Sequence, residues 1–170
     1  MAYDPITRNL TDGQIVIKDG TTTPLSVTID CDEGDLSIVV HKDRKVIMNR
    51  GDLDHVREGV SVPVDLSFTV MFSEFYTDEA SSYTPYELLM QQGDATSAAS
   101  TRADSAEAYC VDVEFTITNP DADTGEKDEL IKVDDFFVEE ITFTEGDEYN
   151  TLAVSGRAMI TSPTITKEAR

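Results

Sequence analysis

The sequence predicts a mainly β domain, a β-sandwich with one short flanking helix. Three observations carry that prediction. Apolar and polar residues alternate with period two over long stretches, the mark of strands with one buried face. Asp19-Gly20, Glu33-Gly34, Asn49-Arg50-Gly51, Glu58-Gly59, Asn119-Pro120, Thr124-Gly125 and Glu145-Gly146 punctuate those stretches as turns do. A single segment carries both helix start and helix stop signals, so strands must pack mainly against strands.

Leu25–Cys31 and Leu36–Val40 alternate over short runs, and Val46–Met48 reads as a strand with a less decided face. The strongest pattern is Ser61–Phe72. There Val62, Val64, Leu66, Phe68, Val70 and Phe72 alternate with Ser61, Pro63, Asp65, Ser67, Thr69 and Met71. Pro63 has no N–H for a ladder, which places it at the start or edge of that strand. The helix is expected over 84–93. Thr84-Pro85-Tyr86-Glu87 fits a capping box with proline at the first helical position, Tyr86, Leu89 and Met90 form one apolar stripe, and Gly93 is a natural stop. Residues 94–107, rich in Ala, Ser, Thr and Asp without periodicity, are expected to be a flexible loop. Alternation returns in Tyr109–Thr118 and Leu152–Ile160, with Phe136–Phe143 a further strand. The whole of 1–170 reads as one domain.

Thirteen Lys and Arg against thirty-four Asp and Glu leave a net charge of −21. That excludes a generic nucleic-acid binder, which needs a basic footprint, and argues against docking on anionic membranes. The charge is segregated. Between His41 and Arg57, Lys42, Arg44, Lys45, Arg50 and Arg57 stand against Asp43, Asp52 and Asp54 for a local +2, whereas 104–148 holds sixteen acids against Lys127 and Lys132, a local −14. Opposite signs on one chain are what a self-associating subunit uses to dock one end onto another copy. No apolar run approaches the length of a membrane span. Residues 1–5 lack the basic and apolar regions of a signal peptide, so a cytoplasmic site of synthesis and assembly is expected.

Catalytic signatures are lacking: no G-x-S-x-G, P-loop or H-E-x-x-H occurs. The two histidines, His41 and His55, have no nucleophile elbow near them in sequence, and neither an enzyme nor a cofactor is expected. Cys31 and Cys110 read as reduced thiols on strands. Two acidic clusters, Asp30–Asp35 and Asp121–Glu126, supply oxygens for calcium, but their glycines fall one position too early for an EF-hand loop. Arg50-Gly51-Asp52 spells an adhesion tripeptide in a polar turn, a match that chance supplies freely.

The linear arrangement resembles the major tail tube proteins of long-tailed bacteriophages. The resemblance rests on a first strand near Ile15–Lys18, the segment Met48–Leu53, the long strand Val62–Phe72, the short helix Pro85–Gln92 and the returning strands from Tyr109 to Ile160. It implies hexameric rings in which neighbouring subunits join strands into one inner β-barrel, stacked into an acidic conduit through which DNA passes without specific binding. The implied partners are further copies of the chain and other tail proteins, with no membrane insertion; the implied location is the virion tail, assembled in host cytoplasm. On that basis Asp65, Ser67, Thr69, Asp112, Glu114 and Thr116, the polar faces of two long strands, are expected to face the lumen. Lys42, Arg44, Lys45, Arg50 and Arg57, in a hairpin spanning 41–59, are expected to stack rings onto acids around Asp121–Glu129 and Glu145–Glu148. Two alternatives stand beside this reading: a secretion-system tube subunit, and a monomeric acidic β-sandwich that binds calcium or carbohydrate at its loops.

Overall fold

The computed structural model describes residues 13–29, 35–71, 83–102, 107–118, 128–146 and 150–168. Ten strands and one α-helix follow in chain order: β1 (Gly13–Lys18), β2 (Ser26–Ile29), β3 (Ser37–Val39), β4 (Arg44–Asn49), β5 (Asp52–Glu58), β6 (Val64–Met71), α1 (Pro85–Met90), β7 (Val111–Ile117), β8 (Asp128–Thr144), β9 (Thr151–Ala158) and β10 (Thr164–Glu168). Eight of the strands form one antiparallel sheet in the order β2-β1-β7-β8-β9-β6-β3, with β10 also on β8; β4 and β5 form a separate hairpin. The expected mainly β sandwich with one short helix is what the chain adopts.

The sandwich comes from one strand, β8. Over 17 residues its first part pairs with β7 and β10, and its second part, from Phe136 onward, pairs with β9. An extra residue interrupts the β7 ladder between Val133 and Phe136, and Asp135 there takes a positive φ of 56°. Bulges of this kind bend a strand and let it change sheets. The Asp135 N–H donates to Asp112 Oδ1, its carbonyl accepts from Met159 N, and its carboxylate takes the Thr101 hydroxyl at 2.8 Å. Two leaves result: β2-β1-β7-β8-β10 and β8-β9-β6-β3.

Between the leaves lies one core. Ile15, Ile17, Val111 and Val113 from the first leaf meet Val64, Leu66, Phe68, Leu152 and Val154 from the second, with Phe136 at the corner. The Phe68 and Phe136 rings are 6.2 Å apart and tilted, a favourable aromatic arrangement. The alternation in β6 thus buries its even positions as expected, and Pro63 sits just before the strand begins. Phe72 lies outside the described residues.

Helix α1 closes one flank. Glu87 N donates to Thr84 Oγ1 and the Thr84 N–H to Glu87 Oε2, which is the expected capping box. Its limits are corrected at the other end. The helix stops at Met90 and Gln91 takes the left-handed conformation, because the Gln91 side chain gains a 2.6 Å bond to Ala98 O. Leu88 and Leu89 are the buried residues, while Met90 turns outward. The expected loop after it is structured where described. Gly93–Ser97 forms a 3-10 turn, and 98–101 is strapped across the β1–β2 turn by buried Asp19, which accepts from Ala99 N, Leu25 N and Thr21. Gly20 permits that approach: a Cβ there would sit 2.1 Å from Ser100 O.

Candidate functional site

The outer face of the second leaf is small and hydroxylated. β6 contributes Asp65, Ser67 and Thr69, which stand level with Arg157, Ser155 and Ala153 of β9; β3 adds Ser37 and Val39. Ser37, Val39, Asp65, Ser67, Ser155 and Arg157 line an open groove of about 380 Å³ together with Glu139. Arg157 Nε donates to Glu139 Oε1 at 2.9 Å, and the guanidinium lies 6.0 Å from the centre of the Phe137 ring. His41 Nε2 lies 2.8 Å from Asp65 Oδ2, both groups about half exposed. Among the described residues no serine hydroxyl bonds to that histidine, so the pair lacks the nucleophile of a triad.

The outer face of the first leaf carries the other expected lumen residues, Asp112, Glu114 and Thr116. Their carboxylates are neutralised from neighbouring strands. Lys18 Nζ donates to Glu114 Oε2 at 2.6 Å, and Lys132 Nζ sits 3.0 Å from Asp112 Oδ2 and 2.7 Å from Asp134 Oδ1. The hydrogen bond to Asp134, then those to Asp112, push the Lys132 ammonium above its ordinary range. Asp65, Ser67 and Thr69 stand apart from Asp112, Glu114 and Thr116, with β8 and β9 between their strands and the shared core between their leaves, so the two sets do not make one surface.

The five expected stacking cations separate as well. Lys42 precedes the hairpin and donates to Thr161 O at 3.3 Å. Arg44 stands opposite Glu58, whereas Lys45 stands opposite Arg57, two like charges cross-strand with no ion pair to an acid among the described residues. Like charges so placed repel and invite an anionic partner. Arg50 and Gly51 form the two-residue tip with φ of 50° and 93°, the paired positive angles of a type I′ hairpin turn. The adhesion-like tripeptide is this turn. The expected acidic acceptors fall mostly outside the described residues, as do Cys31 and both calcium-like clusters except Asp35. Cys110 is a buried free thiol, and among the described residues no group of three metal-ligating side chains converges.

Sequence reading missed the hairpin's second property. Val46, Met48, Leu53 and Val56 are large apolar residues left exposed. The signal was present in Val46 and Met48 at alternate positions, but the basic residues around them drew the assignment.

No family model and no curated protein matches this chain. Solved structures do. A chain of the cryo-EM structure of the anti-feeding prophage cap (AFP tube terminating cap) superposes with a TM-score of 0.61 at 10% identity, over 99% of this chain and 96% of that one. A chain of an extracellular contractile injection system, the PVC sheath-tube complex in its extended state, gives 0.54 at 12% identity over 98% and 91%. The PVC sheath/tube terminator gives 0.51 at 12% over 99% of both chains. The fold is one found in the tube-bearing particles of contractile injection systems. That is broader than the long-tailed phage tubes that the sequence resembles.

Proposed function

We propose that this chain is a structural, non-enzymatic subunit of a phage-like tail tube that assembles with copies of itself and with other tail proteins. The observation that carries the reading is the second leaf. Its four strands run alternately up and down, and along Phe137–Thr142 β8 pairs with β9 on one side while no described strand lies on the other. β3 covers only Asp65–Ser67 of β6, which leaves the opposite edge of the leaf short as well. An open edge on a long strand is an aggregation hazard unless another strand covers it. Joining the β8 edge of one copy to the β3 edge of the next keeps every pair antiparallel. It is a head-to-tail contact, which closes into a ring when the rotation allows. Six copies would build the hexameric ring that the sequence resemblance implies.

In that ring the outer face of the second leaf lines the channel, with Asp65, Ser67, Thr69, Ser155 and Thr142 on the wall. The one arginine on this face among the described residues, Arg157, is held by Glu139, so the hydroxyls and carboxylates around it give phosphate little to hold it, and the wall gives bases few aromatic faces to stack on. The wall therefore suits a conduit for a viral genome within a virion tail. Asp112, Glu114 and Thr116 fall to the outer wall, where Lys18 and Lys132 neutralise the acids. Rings stack through Lys42, Arg44, Lys45, Arg50 and Arg57 against acids of the adjoining ring. Exposed pairs contribute about 0.2–1 kcal/mol each, so the set acts together.

A second reading, the tube subunit of a contractile injection or secretion system, is favoured by the solved structures that share the fold. Negative-stain microscopy of the purified protein tests the shared claim: rings or tubes are expected, and dispersed particles across concentration and salt would end it. A contractile sheath around native particles would decide for the second reading.

A further inference from the structure

The bend that makes the sandwich is held from outside its own strand. Asp135 carries it in the left-handed conformation, which few non-glycine residues adopt and aspartate adopts more readily than most. Each of its polar groups is bonded. The N–H donates to Asp112 Oδ1 on β7 of the first leaf at 3.2 Å, and the carbonyl accepts from Met159 N, just past β9 of the second, at 3.1 Å. The carboxylate reaches a third place. Oδ1 accepts from the Thr101 hydroxyl and Oδ2 from Arg102 Nη1 at 3.3 Å, both in the strap that follows the 3-10 turn. Arg102 is itself held by Glu107 through Nε and Nη2. The other end of the strap is fixed where Asp19 accepts from Ala99 N and Ala99 O accepts from Gly20 N. Between the two ends it is bonded to Cys110, whose N–H donates to Ser100 Oγ and whose carbonyl accepts from Thr101 N.

We propose that residues 98–102 are a clasp, closed at Asp19 and at Asp135, that holds the bend of β8 and so sets the angle between the leaves at which copies close into a ring. A left-handed aspartate is a strained corner that persists only where its surroundings over-determine it. The clasp supplies that support from 33 and 34 positions away in the chain. Among the described residues β8 is the strand that runs through both leaves, so the backbone at its corner decides their relative attitude. A head-to-tail contact closes only when the rotation between neighbours allows it, and otherwise winds into an open filament. A subunit whose leaves swing therefore has no fixed ring size. This inference rests on the tube-subunit reading and adds what fixes its closure.

Cys110 reports on the clasp, because its buried thiol is reached only when the strap lifts. In the full chain with Cys31→Ser, Arg102→Ala and Asp135→Ala should each speed labelling of Cys110 by a small maleimide at least about tenfold in dispersed protein. Burial raises the thiol, the charge of Asp135 raises it further and that of Arg102 lowers it. The two variants thus shift its acidity in opposite directions, and faster labelling in both reads opening. Asp135→Asn keeps the left-handed conformation and the acceptor for Thr101, and should label within about twofold of wild type. In electron micrographs the two alanine variants should give rings of mixed size or open filaments, and Asp135→Asn uniform rings. Thr84→Ala, destabilised at the helix cap, should label near the wild-type rate and close uniformly, which separates the device from lost stability. Should Asp135→Ala fail to fold, Arg102→Ala decides. Unchanged labelling of Arg102→Ala would overturn the clasp, and uniform wild-type rings from a fast-labelling variant would overturn its control of closure. Either result leaves the tube reading standing. A wild-type chain that never assembles would overturn both.

Discussion

Tyr109 shows how a single side chain can be held by burial rather than by bonding. Its hydroxyl is shut off from solvent and has no hydrogen-bond partner among the described residues. Burial, and then the charge of Asp19, push its phenol well above the ordinary value. A buried polar atom without a partner costs free energy that the unfolded chain does not incur. Tyr109→Phe should therefore stabilise the fold by about 1 kcal/mol in denaturant unfolding. A destabilised variant would mean that the hydroxyl is bonded after all. The same residue governs behaviour in alkali. Burial also raises the Cys110 thiol, and hydrogen bonding raises Lys132. In each case the folded chain keeps a proton that the unfolded chain gives up at its ordinary pKa. Stability from these groups is complete below about pH 8 and falls as pH rises through about 9 to 11. Tyr109→Phe should make that alkaline decline shallower, which melting temperatures across pH will read.

Among the elements, α1 is the one whose stability is most local. Six residues make too short a helix to stand by propensity, so its cap and its two buried leucines hold it. Thr84→Ala removes the acceptor for Glu87 N and should cost about 1 kcal/mol in urea unfolding without a change in slope. That helix start was legible in sequence because every signal lay within four residues. β6 was legible for a similar reason: its period of two is unbroken from Val64 to Val70. β8 was not. Its inward residues Val133, Phe136 and Val138 are spaced three and then two apart, and a further extra residue, Glu139, breaks the β9 ladder. Each bulge shifts parity, so the sequence revealed Phe136–Phe143 and hid Asp128–Asp135. The corner residue is an aspartate at positive φ, supported by Thr101 and Arg102 from a distant segment. Nothing adjacent in sequence marks it. The pairing of the first leaf's acids was hidden for the same reason, because Lys18 reaches Glu114 across 96 positions.

For the molecule as a whole, the decisive matter in the proposed tube is which leaf turns inward. A sandwich offers two outer faces, and the alternation that buries Val64, Leu66, Phe68 and Val70 assigns polar residues outward without saying toward what. The second leaf has the open β8 edge, the hydroxylated face and, among the described residues, the ion pair Arg157–Glu139 beside the His41–Asp65 contact. On the first leaf, Lys18 and Lys132 present two ammonium groups beside the carboxylates where the second leaf presents the Arg157 guanidinium, a poorer lining for the proposed conduit of an anionic polymer. Cysteine labelling can separate the two. In a background with Cys31→Ser and Cys110→Ala, Ser67→Cys on the second leaf and Thr116→Cys on the first should both react with a bulky polyethylene-glycol maleimide while the protein is dispersed. In long assembled tubes Ser67→Cys should become protected and Thr116→Cys should stay reactive, because the reagent meets the outer wall freely and the lumen only at the ends. Protection of Thr116→Cys with continued labelling of Ser67→Cys would turn the subunit around, placing Asp112 and Glu114 on the channel wall and the hydroxylated groove outside.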